Sequence, residues 1–183
     1  MQQPTLFQQA LGAAFYRLPE SLRRLHSVQG RVRWAGRSTI ARGRSPLARL
    51  CAAVAGLPAS REDVPTVVEF VCDPAREVWH RDFGGAKMSS TMKVRDGLLL
   101  ERLGPMQFRF SLYGNDGAIW WTVSGARLFG VLPLPAALFD GVRCRERECE
   151  GRYEFLVEAA MPVIGRIIRY EGWLEPEGVA AGG

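Results

Sequence analysis

Apolar residues recur at helical spacing only in the first third of the chain. Leu6, Phe7, Leu11, Ala14, Phe15 and Leu18 fall three and four apart behind Pro4, which predicts an amphipathic helix. Pro19 interrupts the pattern, and Glu20 to Leu25 predicts a short second helix, so that helices lie within 4–25. A third, within 45–56, has clearer punctuation. Ser45 suits its N-cap, Pro46 its first helical position, and Gly56 with Pro58 its end. Its apolar stripe is Leu47, Leu50, Cys51 and Val54, and Cys51 on that face reads as a buried thiol.

From 28 to 174 the pattern changes to short segments with period two. Strands are predicted at 28–34, 37–43, 66–72, 76–83, 86–95, 98–103, 106–113, 118–128, 142–149, 152–159 and 164–174. Turn signals separate many of them: Gly84-Gly85, Asp96-Gly97, Asn115-Asp116-Gly117 and Glu150-Gly151. Consecutive hairpins specify an antiparallel meander, because parallel strands need crossover helices and none follows Gly56. Eleven short strands exceed what one flat sheet holds, so the sheet curls into a barrel or half-barrel that encloses a cavity. The fold class is therefore mostly β (α+β), with two or three helices in the N-terminal third. The chain reads as a single domain, 1–183, with 175–183 a flexible tail.

Hairpin register follows from the turns. With Asn115-Asp116 as the loop, Leu112 faces Ile119, Phe110 faces Trp121 and Phe108 faces Val123, while Gln107, Arg109, Ser111 and Thr122 take the other face. The Glu150-Gly151 hairpin sets Arg147 opposite Glu154 and Arg143 opposite Glu158, with Cys144 opposite Val157 on the apolar side. Taking Gly84-Gly85 as a loop places Phe83 opposite Ala86, Arg81 opposite Met88, Trp79 opposite Ser90, and Asp82 opposite Lys87 as an exposed ion pair. The Asp96-Gly97 loop sets Met92 opposite Glu101 and Ser90 opposite Leu103. One face thus carries Trp79, Arg81, Phe83, Met88, Met92, Glu101 and Leu103. Arg81 and Glu101 fall among apolar groups, where an unpaired charge is costly, so each requires a partner: the other, another segment, or a ligand. Glu146 and Glu148 also fall on an apolar side, with Glu148 close enough to its turn for solvent.

Charge and cysteine usage narrow the chemistry. The formal net charge is +5, yet only Lys87 and Lys93 are lysines and acidic residues lie among the arginines, without a block of like charge. The densest basic stretch, Arg31 to Arg44, is broken by Trp34 and Ile40 and reads as solvated strand faces, so no nucleic acid is expected as a partner. Cys51, Cys72, Cys144 and Cys149 form no CxxC pair, and with only His26 and His80 beside them they predict neither a metal site nor a disulfide framework. A Cys72–His80 dyad would need an orienting group that the sequence does not supply, and both histidines read as structural. No GxGxxG, Walker or GxSxG motif is present. No cofactor, no catalytic residue, no secretory signal and no transmembrane segment is expected, which points to a cytoplasmic domain.

Several short motifs then recur in a familiar order. They are Leu11-Gly12, Leu18-Pro19 with His26, Trp79-x-Arg81-x-Phe83-Gly84-Gly85, Glu101-Arg102-Leu103-Gly104-Pro105, the Leu132-Pro133-Leu134-Pro135 loop, and Tyr170-x-Gly172-Trp173-Leu174. From about Phe7 to Leu174 the chain resembles a bacterial family of uncharacterised proteins, domain-of-unknown-function family 4166. Leu103 stands where Phe is common in that pattern. The resemblance implies a module that occurs alone or behind a saccharopine-dehydrogenase-like, NAD(P)-binding domain, and no catalytic residues are carried over from it.

These readings lead to a non-catalytic module that binds an apolar or amphipathic, lipid-like small molecule inside the curled sheet. Its expected ligand-binding residues are Trp79, Arg81, Met88, Met92, Glu101, Phe108, Phe110 and Trp121, with Arg81 and Glu101 as polar anchors. Two other classes stay open. One is an enzyme using Glu77 and Glu101, about 10 Å apart across Met92 if strands lie ~4.8 Å apart, with Glu77 taken as solvated near its strand end. The other is an interaction module for a saccharopine-dehydrogenase-like partner.

Overall fold

Four two-residue loops set the strand pairing. Gly84-Gly85, Asp96-Gly97, Asp116-Gly117 and Glu150-Gly151 have positive φ at both central positions, the type I′ geometry whose twist matches that of the paired strands. The structure, a computed structural model, describes residues 3–178. Its strands are β1 (Gly30–Arg42), β2 (Arg61–Asp73), β3 (Arg76–Phe83), β4 (Ala86–Arg95), β5 (Leu98–Leu103), β6 (Met106–Asn115), β7 (Ala118–Leu128), β8 (Leu132–Leu134), β9 (Arg143–Cys149), β10 (Arg152–Met161) and β11 (Gly165–Pro176). Ten of them close into an antiparallel barrel in the order β1 to β7, then β9, β10 and β11, with β11 returning to β1. The short β8 adds to the far end of β7.

Three predicted hairpin registers stand as written, at Gly84-Gly85, Asp96-Gly97 and Glu150-Gly151. The fourth differs. Its loop is Asp116-Gly117, so Leu112 pairs with Trp121, Phe110 with Val123 and Phe108 with Ala126. The I′ preference for Asp-Gly moves the loop on by one residue and the pairing by two, and a bulge between Arg109 and Phe110 adds a third residue for Phe108. A two-residue shift preserves each side chain's face, so the apolar and polar sides remain as expected.

Residues 28–34 and 37–43 are not two strands but one, β1, paired along its length with β2 and β11. The glycine between them is not a turn. A Cβ at Gly36 would lie 1.9 Å from the Trp173 carbonyl oxygen, so Gly36 lets β11 approach closely. The Leu132–Leu134 segment, read as loop, forms β8. Residues 175 and 176 continue β11 and the Glu177 amide donates to the Arg33 carbonyl, while 179–183 of the expected tail lie outside the described residues.

The N-terminal periodic stretch divides at Gly12 (φ 55) into α1 (Leu6–Leu11) and a 3₁₀ turn (Gly12–Arg17), followed by α2 (Glu20–His26). Thr5 and Gln8 form a reciprocal capping box at the start of α1. This unit plugs one end of the barrel: Phe7, Phe15 and Leu22 are fully buried and join a core with Phe70, Trp79, Leu99 and Trp121.

The opposite end carries α3 (Pro46–Val54), capped by the Ser45 hydroxyl as its sequence requires. Here the orientation is the reverse of the usual amphipathic rule. Ala48 and Ala52 are buried, while Leu47, Leu50 and Val54 are exposed and Cys51 is only half-buried. Small residues allow α3 to lie tightly on the end of β1: a Cβ on Gly43 would come within 2.8 Å of the Ala48 methyl.

Candidate functional site

A ten-stranded barrel is wider than its wall side chains can fill, and the plug occupies only one end. Toward the α3 end a cavity of about 320 Å³ is left. Its walls are apolar, formed in part by Phe83, Leu103, Phe108, Phe155 and Ile168. One side is built separately. β7 pairs with β9 only over Ala118–Trp121, and beyond that point β8 and a 3₁₀ turn (Ala136–Phe139) stand beside the widening gap. Phe139 closes against Phe108, with ring centroids 5.5 Å apart, and the Ala160 amide donates to the Gly141 carbonyl at 3.1 Å.

Seven of the eight expected residues line this cavity: Trp79, Arg81, Met88, Glu101, Phe108, Phe110 and Trp121. Met92 does not. It is fully buried within the core that includes the plug.

Arg81 and Glu101 do find each other, but loosely. Nη2 of Arg81 lies 3.7 Å from Oε1 of Glu101, with the side chains 10% and 13% exposed. That separation is beyond a hydrogen bond. Nη1 of Arg81 donates to the Ser90 hydroxyl at 2.9 Å, and the guanidinium carbon sits 4.9 Å from the Trp79 ring centroid. The cation is therefore held in place while its carboxylate partner is only partly engaged. Trp121 adds a buried indole N–H with no acceptor among the described residues.

A second polar group lies deeper, between the cavity and the plug. His26 Nε2 meets Glu146 Oε2 at 2.5 Å, both buried, and the His26 ring stacks on Phe7 at 3.6 Å between centroids. The Trp79 indole donates to Glu77 at 3.1 Å. Glu77 is buried rather than solvated as its place near a strand end suggested, because the plug covers that end of the barrel. Burial pushes its carboxyl above the usual range and the neighbouring Glu146 adds to this, while His26 and the Trp79 N–H oppose it. Burial likewise raises the Tyr153 and Tyr170 phenols and the Cys72 and Cys144 thiols. None of these is a poised nucleophile.

Other expectations resolve by position. Cys72 faces inward and is buried, whereas His80 is exposed beside Ser89, so no Cys–His dyad forms. Asp82 accepts the Gly85 amide at 2.6 Å and makes no ion pair with Lys87. Arg147 pairs with Glu154 at 2.8 Å, but Glu158 pairs with Arg166 rather than Arg143. Glu148 accepts the Ser21 amide at 2.9 Å, which ties α2 to the barrel and lowers its carboxyl. Among the described residues no three His, Cys, Asp or Glu side chains converge as a metal would require. Among the described residues no helix is long and apolar enough to cross a membrane. Sequence reasoning missed Tyr153, Tyr170 and the His26–Glu146 contact. The inward parity of Glu146 was the available signal, but its partner is 120 residues away.

A family model described as "Domain of unknown function (DUF4166)" matches residues 18–174. Among solved structures, the crystal structure of Rv2717c from M. tuberculosis is similar at 13% identity, over 87% of this chain and 99% of that one, with a TM-score of 0.45. No curated protein matches.

Proposed function

Since the chain belongs to the domain-of-unknown-function family 4166, which assigns it no reaction, we propose from the cavity alone that it is a non-catalytic carrier of an amphipathic, lipid-like molecule. The observation that carries this reading is the contrast between an apolar cavity of about 320 Å³ and the loosely paired Arg81–Glu101 in its wall. Ligand cavities are mostly apolar, with a few placed polar groups that orient the guest. A guest carboxylate or hydroxyl takes Arg81 and the Trp121 N–H as donors, and its apolar body lies along Phe108, Phe83 and Ile168. Burial raises the Cys72 and Cys144 thiols, which makes them poor nucleophiles and fits a binding role for the cavity.

Titration with an anilinonaphthalene sulfonate dye and a fluorescent fatty acid tests the proposal. Saturable one-to-one binding is expected, together with at least tenfold weaker binding by Leu103→Trp, which fills the cavity. Arg81→Met is expected to weaken the fatty acid several-fold more than its uncharged alcohol, which loses a hydrogen bond but no ion pair. No saturable binding by the folded protein, or equal affinity of wild type and Leu103→Trp, would overturn it.

A further inference from the structure

The reversed face of α3 is part of a larger feature. α3 spans the cavity end from the β10–β11 turn, where the Ser45 hydroxyl donates to the Ile164 carbonyl, to the β5–β6 turn, where a Cβ on Gly104 would meet Ala55. Leu50 on its outer side is 60% exposed with Leu47 beside it, while Val54, also exposed, borders the cavity. The β7–β8 hairpin stands next to the β5–β6 turn, through the Phe129 amide and the Pro105 carbonyl, and presents Phe129 and Val131, 66% and 76% exposed. The β10–β11 turn presents Val163, fully exposed. Phe129 and Val163 hold positive φ of 54° and 66°, a costly conformation for a bulky or β-branched residue. Three separate elements thus expose large apolar side chains around one opening, two of them at backbone strain.

Cations accompany them. Arg44 and Arg49 belong to the α3 segment. Arg102 and Arg127 point outward on β5 and β7 beside the same turns, both opposite Gln107. Among the described residues none of the four has an acidic partner within 4 Å; elsewhere on the wall Arg147, Arg152 and Arg169 are paired and Arg109 and Arg143 are not, and at the cavity end Arg166 pairs with Glu158. The acidic residues on the segments at this end include Glu62, Asp63, Asp82 and Asp140; Asp63 pairs with Arg37 and Asp82 accepts the Gly85 amide, and none of these acids is within 4 Å of those arginines. An apolar ring bordered by unpaired arginines is complementary to an anionic bilayer, whose headgroups take the cations while the apolar tips enter the acyl boundary.

We propose that the cavity end of the barrel docks on an anionic lipid bilayer, with Leu50, Val131 and Val163 inserted and Arg49, Arg102 and Arg127 on the headgroups. The surface is read independently of the cavity's guest. It draws its purpose from the lipid-like reading, because it brings the cavity opening to a source of amphipathic molecules.

Co-sedimentation with vesicles of phosphatidylcholine, or of phosphatidylcholine with an equal share of phosphatidylglycerol, tests it. The protein is expected to pellet with the anionic vesicles and to be released by high salt. Each Arg→Gln change at 49, 102 or 127 is expected to weaken binding about fivefold, from ~1 kcal/mol per cation at such a surface. Leu50→Asp and, separately, Val131→Asp are expected to weaken it more than tenfold with unchanged melting temperature and dye uptake. Failure to bind anionic vesicles, or wild-type binding by both Asp variants, would overturn the proposal. A dimer dissolved by Leu50→Asp without vesicle binding would assign the ring to a second copy and also overturn it. Dye uptake in solution is scored separately, so loss of the carrier reading and loss of the docking reading are distinguishable.

Discussion

The Arg81–Glu101 contact offers the sharpest energetic test, because a sealed salt bridge and a pair lining an open cavity behave differently. At 3.7 Å two unit charges attract by about 4.5 kcal/mol at an effective dielectric of ~20, and by about 1 kcal/mol in water. The pair faces a cavity of about 320 Å³ and is not a hydrogen bond, which places it toward the lower value. Arg81→Met also removes the hydrogen bond to Ser90 but retains an apolar stem over Trp79. The expected loss is about 1–2 kcal/mol, with about 1 kcal/mol of coupling to Glu101→Leu in a double-mutant cycle. A dry, sealed pair would instead lose roughly 3–5 kcal/mol in the single variant and recover most of it in the double. Urea denaturation followed by tryptophan fluorescence measures all four proteins. A coupling above about 3 kcal/mol would refute the open-cavity reasoning and remove the polar anchor from the proposed carrier.

The buried carboxyl at Glu77 makes stability fall with rising pH. Its folded pKa lies above the unfolded value, so its favourable contribution is complete below about pH 4.3 and is lost as pH rises through the folded value. Glu77→Gln, which keeps an acceptor for the Trp79 N–H, is therefore expected to raise the melting temperature at pH 8 and to lose that advantage toward pH 4; a gain independent of pH would contradict it. The β6 register gives a second contrast. Phe110→Asp places a charge beside Trp121, 5.3 Å away between ring centroids, and is expected to lose more than ~4 kcal/mol, whereas exposed Arg109→Asp stays within ~0.5 kcal/mol. Equal losses in circular dichroism melts would show the assigned faces to be wrong.

Local chemistry accounts for much of the barrel. Asp-Gly, Glu-Gly and Gly-Gly loops determine where the chain reverses, and period-two alternation determines which side chains face inward, so Trp79, Arg81, Met88 and Glu101 could be gathered on one face without coordinates. The alternation is blind to a shift of two, which is why the Asp116-Gly117 hairpin kept its faces and lost its partners. Gly36 illustrates the same limit, since a glycine that permits a turn and one that permits a close strand look alike in sequence. What only the tertiary structure decided were the contacts that close over distance. The plug buried Glu77 and brought His26 to Glu146, and the barrel closed through β7 and β9 while leaving a gap for Phe139 to fill. Most of all, α3 buried its alanines rather than its leucines. Helical periodicity identifies an apolar stripe, but whether that stripe meets a core or an opening depends on what the rest of the chain places beneath it, and here tight packing on Gly43 favoured the small residues.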